Sequence, residues 1–228
     1  MRAPVAFLRA VGKGQAMTRT FIAVELDAAV RAALERVIAR LRRAAPEVRW
    51  ADPAGLHLTL AFLGEQDDER LTAAHEATAA AARLGHPFYI EVGQPGYFGP
   101  KWAPRVIWAG VGGETAKLTA VQETLARELE RRGFAREDRP FAPHLTLARL
   151  KERVSPQTLG ALLREVETPA RRTSGEGGMR VERLSVMKSE LARPAAIYTC
   201  LAEYEMGKGA ESGEHEGYGE EQRNTGKN

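Results

Sequence analysis

Two kinds of apolar spacing alternate along the chain between Thr20 and Tyr204. Runs such as "TFIAVEL" (20–26), "LHLTLAFLG" (56–64), "PFYIEVGQPGYF" (87–98), "PRVIWAGV" (104–111) and "HLTLARL" (144–150) have the short, β-rich pattern of strands. Between them lie segments whose apolar residues recur every three or four positions, as on one face of a helix. The first is "DAAVRAALERVIARLRRA", with Asp27 placed as its N-cap, and the second is the Ala-rich "DDERLTAAHEATAAAARLG", closed by Gly85. A third is "TAKLTAVQETLARELERRG", and a fourth is "PQTLGALLREV", where Ser155 and Pro156 suit the cap and first helical position. At the end, "MRVERLSVMKSEL" and "AAIYTCLAEYE" read as a hairpin joined around "ARPA".

Strand–helix–strand–helix therefore occurs about twice, with paired strands between, and no Gly-rich nucleotide loop opens any helix. The expected fold class is α+β: two pseudo-symmetric lobes, each a mainly antiparallel sheet backed by helices, with a central cleft. No conspicuous linker divides them, so residues 18–205 form one domain of two lobes.

Composition narrows the class. Hydrophobic residues are 43% and charged residues 28%, the balance of an ordinary globular chain, and the apolar runs are strand-sized, so no membrane span is expected. The one cysteine, Cys200, can form neither an internal disulfide nor a cysteine cage for zinc, which fits a reducing cytoplasm. Residues 1–17 read as a disordered head, since Arg9 cuts its apolar run short of a signal core. Residues 206–228 read as a disordered Gly/Glu-rich tail. The overall charge is +3, and the acidic tail leaves the rest of the chain more basic than that. Such an excess suits a polyanion without specifying one.

The chemistry lies in a repeat. "HLTLA" occurs at His57 and again at His144. In a strand, His57 and Thr59 share one face and Leu58 and Leu60 the other; His144 and Thr146 are likewise set against Leu145 and Leu147. Two such strands facing each other surround a small anion with two imidazoles and two hydroxyls. Phosphodiester cleavage needs one base and one acid, and histidine's ordinary pKa allows one ring to be neutral while the other is charged, without a metal. A single histidine on an apolar strand is usually structural, but packing alone does not require the same polar pair in both copies.

Both strings resemble the paired H-x-T-x motifs of the 2H phosphoesterase superfamily, and in particular the RNA 2′,3′-cyclic phosphodiesterase family, formerly described as 2′-5′ RNA ligases. The resemblance runs from about Thr20 to Tyr204 and includes "FIAVEL", "LHLTLAFLGE", "PRVIWAGV", "DRPFAPHLTLARL" and "LSVMKSEL". It implies hydrolysis of 2′,3′-cyclic phosphate ends of RNA or nucleotides to 2′-phosphomonoesters. His57 would be the proton donor to the departing 3′ oxygen and His144 the base for water, while Thr59 and Thr146 hold phosphate oxygens. On the residues alone the two histidines are interchangeable. The expected partners are RNA 3′ ends or cyclic nucleotides, with no cofactor, no metal, no membrane and no obligate protein partner.

Other residues compete for supporting roles. Arg139 and Arg149 could bind phosphate, the former otherwise a loop ion pair. Strict alternation from His144 puts position 148, not 149, on the histidine's face, so Arg149 reads as a solvent or interlobe ion pair. Phe98, Trp102 and Trp50 could stack on a base or belong to the core. Lys188, Ser189 and Tyr198 sit in the final hairpin, where the family that the chain resembles has recurring polar residues, but strand packing explains them equally well; His75, His86 and His215 read as structural or exposed. The rivals are a metal site, which lacks HxH, HExxH and acidic ligands in the motifs, a non-catalytic RNA-end-binding module, and another 2H activity such as a 2′,5′-phosphodiesterase or weak reverse 2′-5′ ligation.

Overall fold

A computed structural model describes residues 17–151, 154–172, 178–192 and 196–207. Apart from Met17, Met206 and Gly207, the expected head and tail lie outside these residues, as do His215 and most of the "ARPA" turn; Met206 is buried and so belongs to the folded domain. Twelve elements follow in order: β1 (Thr18–Glu25), α1 (Ala28–Ala44), β2 (His57–Gln66), α2 (Asp68–Leu84), β3 (Phe88–Phe98), β4 (Val106–Gly113), α3 (Thr115–Arg131), β5 (His144–Arg149), α4 (Pro156–Arg172), β6 (Gly178–Val181), β7 (Arg183–Glu190) and β8 (Ile197–Glu205). A 3₁₀ turn, Pro53–Gly55, leads into β2.

Local chemistry accounts for the helices. The Asp27 carboxylate accepts from the Val30 N–H at 2.7 Å and caps α1, whose Val30, Leu34, Val37, Ile38 and Leu41 form one buried stripe. Asp67 does the same for α2 through the Arg70 N–H, and Ser155 for α4 through the Thr158 N–H. The buried face of α2 is largely alanine, which lets its axis lie close to its neighbours. A guanidinium links α2 to the end of α3: Arg70 donates to the Arg132 and Gly133 carbonyls and lies 3.8 Å from the centroid of the Phe134 ring.

All eight strands form one antiparallel sheet in the order β6-β3-β4-β5-β2-β1-β7-β8. The first lobe is β2-β1-β7-β8 and the second is β5-β4-β3-β6. The lobes are halves of a single sheet, and the two HLTLA strands sit side by side at its centre, where the sequence alone suggested strands facing across a gap. Edge pairing has a physical advantage: the inner edges of two separate sheets would expose unpaired N–H and C=O groups, and here each edge satisfies the other.

The halves are joined a second time. The stretch read from sequence as one strand, "MRVERLSVMKSEL", breaks at Glu182: β6 pairs with β3 and β7 pairs with β1. One residue thus spans from an outer edge of the second lobe to the interior of the first, which requires the sheet to curl. Among the described residues the helices occupy one face and leave the other free of helices. Helices α2 and α3 pack together, with α2 against β7 and β8 and α3 against β2, while α1 packs on α4, and α4 on β3. One contiguous core on this face includes Leu58, Leu60, Leu145, Leu147, Ile107 and Val186.

Leu145 is 2% exposed at the junction of the halves. Truncating it to alanine leaves a cavity there and is expected to cost about 2–5 kcal/mol, read as a lower denaturation midpoint in urea with an unchanged slope.

Candidate active site

Strands β2 and β5 pair antiparallel at Leu58 and Leu145. Both leucines point into the helix-side core. In this register His57 lies across from Thr146 and His144 across from Thr59, and all four project from the helix-free face. The alternation of buried and half-buried residues agrees with that placement in both strands. Neither threonine hydroxyl has a hydrogen-bond partner among the described residues, so both are free to donate.

The two imidazoles are held in the same way. His57 Nδ1 lies 2.8 Å from the Gly55 carbonyl, and His144 Nδ1 lies 2.7 Å from the Ala142 carbonyl, each two residues back along the chain. A carbonyl only accepts, so the proton sits on Nδ1 in both rings, and Nε2 is left to exchange protons with a ligand. Aromatic walls fix the ring planes. Phe21 and Tyr198 flank His57 at centroid distances of 4.6 and 4.9 Å, and their own rings meet edge-on at 5.5 Å. Phe98 meets His144 edge-on at 4.8 Å, and Trp108 lies at 6.2 Å. Two glycines make room: a Cβ at Gly55 would come within 3.0 Å of the Tyr198 ring, and one at Gly96 would fall inside the Trp108 ring.

Arg31 of α1 supports His57 from behind. Its guanidinium donates to the carbonyls of Pro53 (2.9 Å), Ala54 (2.6 Å) and Leu26 (3.1 Å), tying the 3₁₀ turn that presents the Gly55 carbonyl to the ring. Nothing in the sequence pattern marks this role, because Arg31 reads as one more exposed helix arginine.

A β-bulge corrects the reading of Arg149. In the β4–β5 ladder, Trp108 pairs with Thr146 but Ile107 pairs with Ala148, so Leu147 is the extra residue. The bulge shifts the alternation by one: Leu147 and Ala148 are both buried, and Arg149 emerges on the face of His144 and Thr146. The same irregularity occurs in the first copy, where Ala23 pairs with Thr59 but Ile22 pairs with Ala61, leaving Leu60 extra. It turns Phe62 onto the helix-free face, 57% exposed beneath the Arg19 guanidinium. Equivalent positions thus hold an arginine in one copy and a phenylalanine in the other.

This arginine is one of several influences on His57. Burial is the main cause that pulls His57 below its ordinary value of 6.5, and the positive charges of Arg149, Arg31 and a protonated His144 push the same way. The bond to the Gly55 carbonyl, which favours the charged ring, opposes them.

The remaining expectations divide. Trp50 is core, 7% exposed, with its indole N–H donating to the Ala45 carbonyl at 3.0 Å. Arg139 forms an exposed ion pair with Glu137 at 3.1 Å, the loop pairing its sequence allowed. Phe98 stands beside His144, while Trp102 sits at the tip of the β3–β4 hairpin, outside the ring of side chains around the histidines. Lys188 pairs with Glu190, and His75 with the Tyr204 hydroxyl. Tyr198, one of the hairpin residues singled out in the sequence, reaches the site from β8, and Phe21, which carries no signal beyond strand propensity, from β1. Among the described residues one group could hold a metal, Glu25, Cys200 and Glu203, and it contains neither histidine.

A duplicated α+β fold with histidine–threonine pairs on its two central strands is the 2H phosphoesterase architecture. A family model described as the 2′-5′ RNA ligase superfamily matches residues 26–193. The chain belongs to that superfamily. It is 31% identical over 185 residues to a Thermotoga maritima protein named RNA 2′,3′-cyclic phosphodiesterase, covering 81% of this chain and 94% of the relative. A Thermus thermophilus protein of the same name is 34% identical, with 82% and 90% covered. Among solved structures, one from Thermus thermophilus superposes with a TM-score of 0.67 at 30% identity, over 83% of this chain and 98% of that one. E. coli LigT complexed with 3′-AMP gives 0.62 at 25% identity, over 84% and 99%.

In an NMR titration of the unliganded protein, His57 is expected to protonate with a midpoint below 6.5 and Arg149→Gln to raise that midpoint. A His57 midpoint at or above 6.5, or one indifferent to the substitution, contradicts the electrostatic account.

Proposed function

We propose that the protein hydrolyses 2′,3′-cyclic phosphate ends of RNA or nucleotides to 2′-phosphomonoesters by two-histidine acid–base catalysis that needs no metal. The observation that carries this reading is the pairing of Leu58 with Leu145, which sets two imidazoles and two free hydroxyls on one face of adjoining strands. The relatives named RNA 2′,3′-cyclic phosphodiesterase support the substrate class.

In this mechanism the cyclic phosphodiester lies over the β2–β5 junction, with its non-bridging oxygens accepting from the Thr59 and Thr146 hydroxyls. His144 Nε2 takes a proton from water as the water oxygen bonds to phosphorus. The P–O3′ bond breaks, and His57 gives its Nε2 proton to the departing oxygen. Arg149, turned onto this face by the bulge, adds positive charge where the transition state gathers negative charge. The acid and base assignment follows the family resemblance. It places the acid on the ring whose pKa is lowered in the empty site, so the anionic substrate must itself draw the proton onto His57. The single exposed cysteine, Cys200, remains consistent with a reducing cytoplasm.

Two experiments test the reading. His57→Ala and His144→Ala should each lower kcat on a 2′,3′-cyclic nucleotide about 10²–10⁴-fold, while chelators leave the wild type unaffected. Turnover that survives either substitution, or that a chelator abolishes, sinks it. The pH profile carries a sign: the acid must be protonated, and its pKa is lower in the free protein than with an anion bound. The alkaline limb of kcat/KM should therefore lie at lower pH than that of kcat. Coincident limbs, or the reverse order, count against His57 as the acid.

A further inference from the structure

The segment Gly99-Pro100-Lys101-Trp102-Ala103-Pro104-Arg105 joins β3 to β4. Its Trp102 is 70% exposed, although an indole is among the side chains that gain most from burial. The loop around it is constrained. Ala103 N–H donates to the Pro100 carbonyl at 2.9 Å, Arg105 N–H donates to the Phe98 carbonyl at 2.8 Å, and Pro104 is buried. Gly99 has φ of 102°, a conformation that its neighbours require and other residues resist. The indole is thus held out on a fixed support.

The surroundings are basic. Lys101 and Arg105 lie in the loop, which contains no acidic residue. Leu150 N–H donates to the Arg105 carbonyl at 2.8 Å, which brings Lys151 to the loop's flank, and Arg149 pairs with the adjoining Val106. None of Lys101, Arg105 and Lys151 is in an ion pair among the described residues, whereas Arg131, Arg132, Arg136, Arg139 and Arg183 all are. The loop is also continuous with the site: Phe98, in edge contact with His144, begins the turn, and Trp102 is four residues further on, at most about 14 Å of chain.

We infer that this hairpin tip is a docking surface for single-stranded RNA entering the site, with Trp102 stacking on a base upstream of the reacting end and Lys101, Arg105 and Lys151 neutralising the phosphates around it. The inference rests on the activity proposed above and deepens it: the preferred substrate is an oligoribonucleotide end, and a free cyclic mononucleotide, which has no upstream base or phosphate to offer the tip, is the poorer one. An aromatic platform with unpaired cations beside it is the arrangement that grips single strands without reading their sequence.

The test compares wild type, Trp102→Ala and Trp102→Phe. Affinity is read by fluorescence anisotropy for a labelled hexaribonucleotide ending in a 2′-phosphate, which is not turned over. Activity is read as the ratio of kcat/KM on a cyclic-ended hexaribonucleotide to that on 2′,3′-cyclic CMP. Trp102→Ala should weaken hexamer binding about tenfold and lower the ratio by a similar factor, and Trp102→Phe should restore most of both. Equal binding by wild type and Trp102→Ala, or an unchanged ratio, overturns the docking surface and leaves the hydrolytic activity standing. A wild type that binds the hexamer through Trp102 but opens no cyclic end overturns the activity and keeps the surface.

Discussion

Everything at the candidate site depends on one backbone junction, the antiparallel register in which Leu58 meets Leu145. A strand's side chains alternate, so a slip of either strand by one residue would send its histidine into the helix-side core and its leucines to the surface. The buried leucines forbid that slip, and in doing so they fix the polar tetrad. Stability and site geometry therefore come from the same contact. The bulges at Leu60 and Leu147 complete the arrangement, because they let the core keep two successive apolar residues and return the next residue, Phe62 or Arg149, to the polar face.

The pseudo-twofold relation between the halves holds for the backbone and fails in the side chains around the two histidines. Each ring donates Nδ1–H to the carbonyl two residues back. Around them the copies differ. His57 pairs across β1 with Glu25 and has Arg31 and Arg149 within electrostatic reach, whereas the residue across from His144 on β4 is Gly110. Two equivalent imidazoles can already divide into one neutral and one charged ring; different surroundings decide which ring is which. The motif is shared; what acts on His57 is first its burial and then the placement of the arginines.

That distinction also explains what can be read from the chain alone. The repeated histidines and threonines, the helix caps at Asp27 and Ser155, and the two-lobed α+β order are local or periodic, and local patterns survive into structure. Side-by-side pairing of β2 and β5 is not legible, since residues 57 and 144 are joined by no turn and register between distant strands leaves no periodic trace. Strict alternation sends Arg149 to the wrong face because a bulge is invisible to it. The break at Glu182 is hidden by an unbroken β pattern that serves two different partners. Arg31, Phe21 and Tyr198 reach His57 only through the tertiary fold.

The connection order has a further result. Helix α1 and strand β3, made early in the chain, are built into the second lobe, while α3, β7 and β8, made later, complete the first. Each lobe is thus finished by pieces lent from the other, the topology of a domain-swapped dimer fused into one polypeptide. The first lobe cannot reach its native packing until β7 and β8 have followed the whole of the second, so it closes late and largely through contacts distant in sequence.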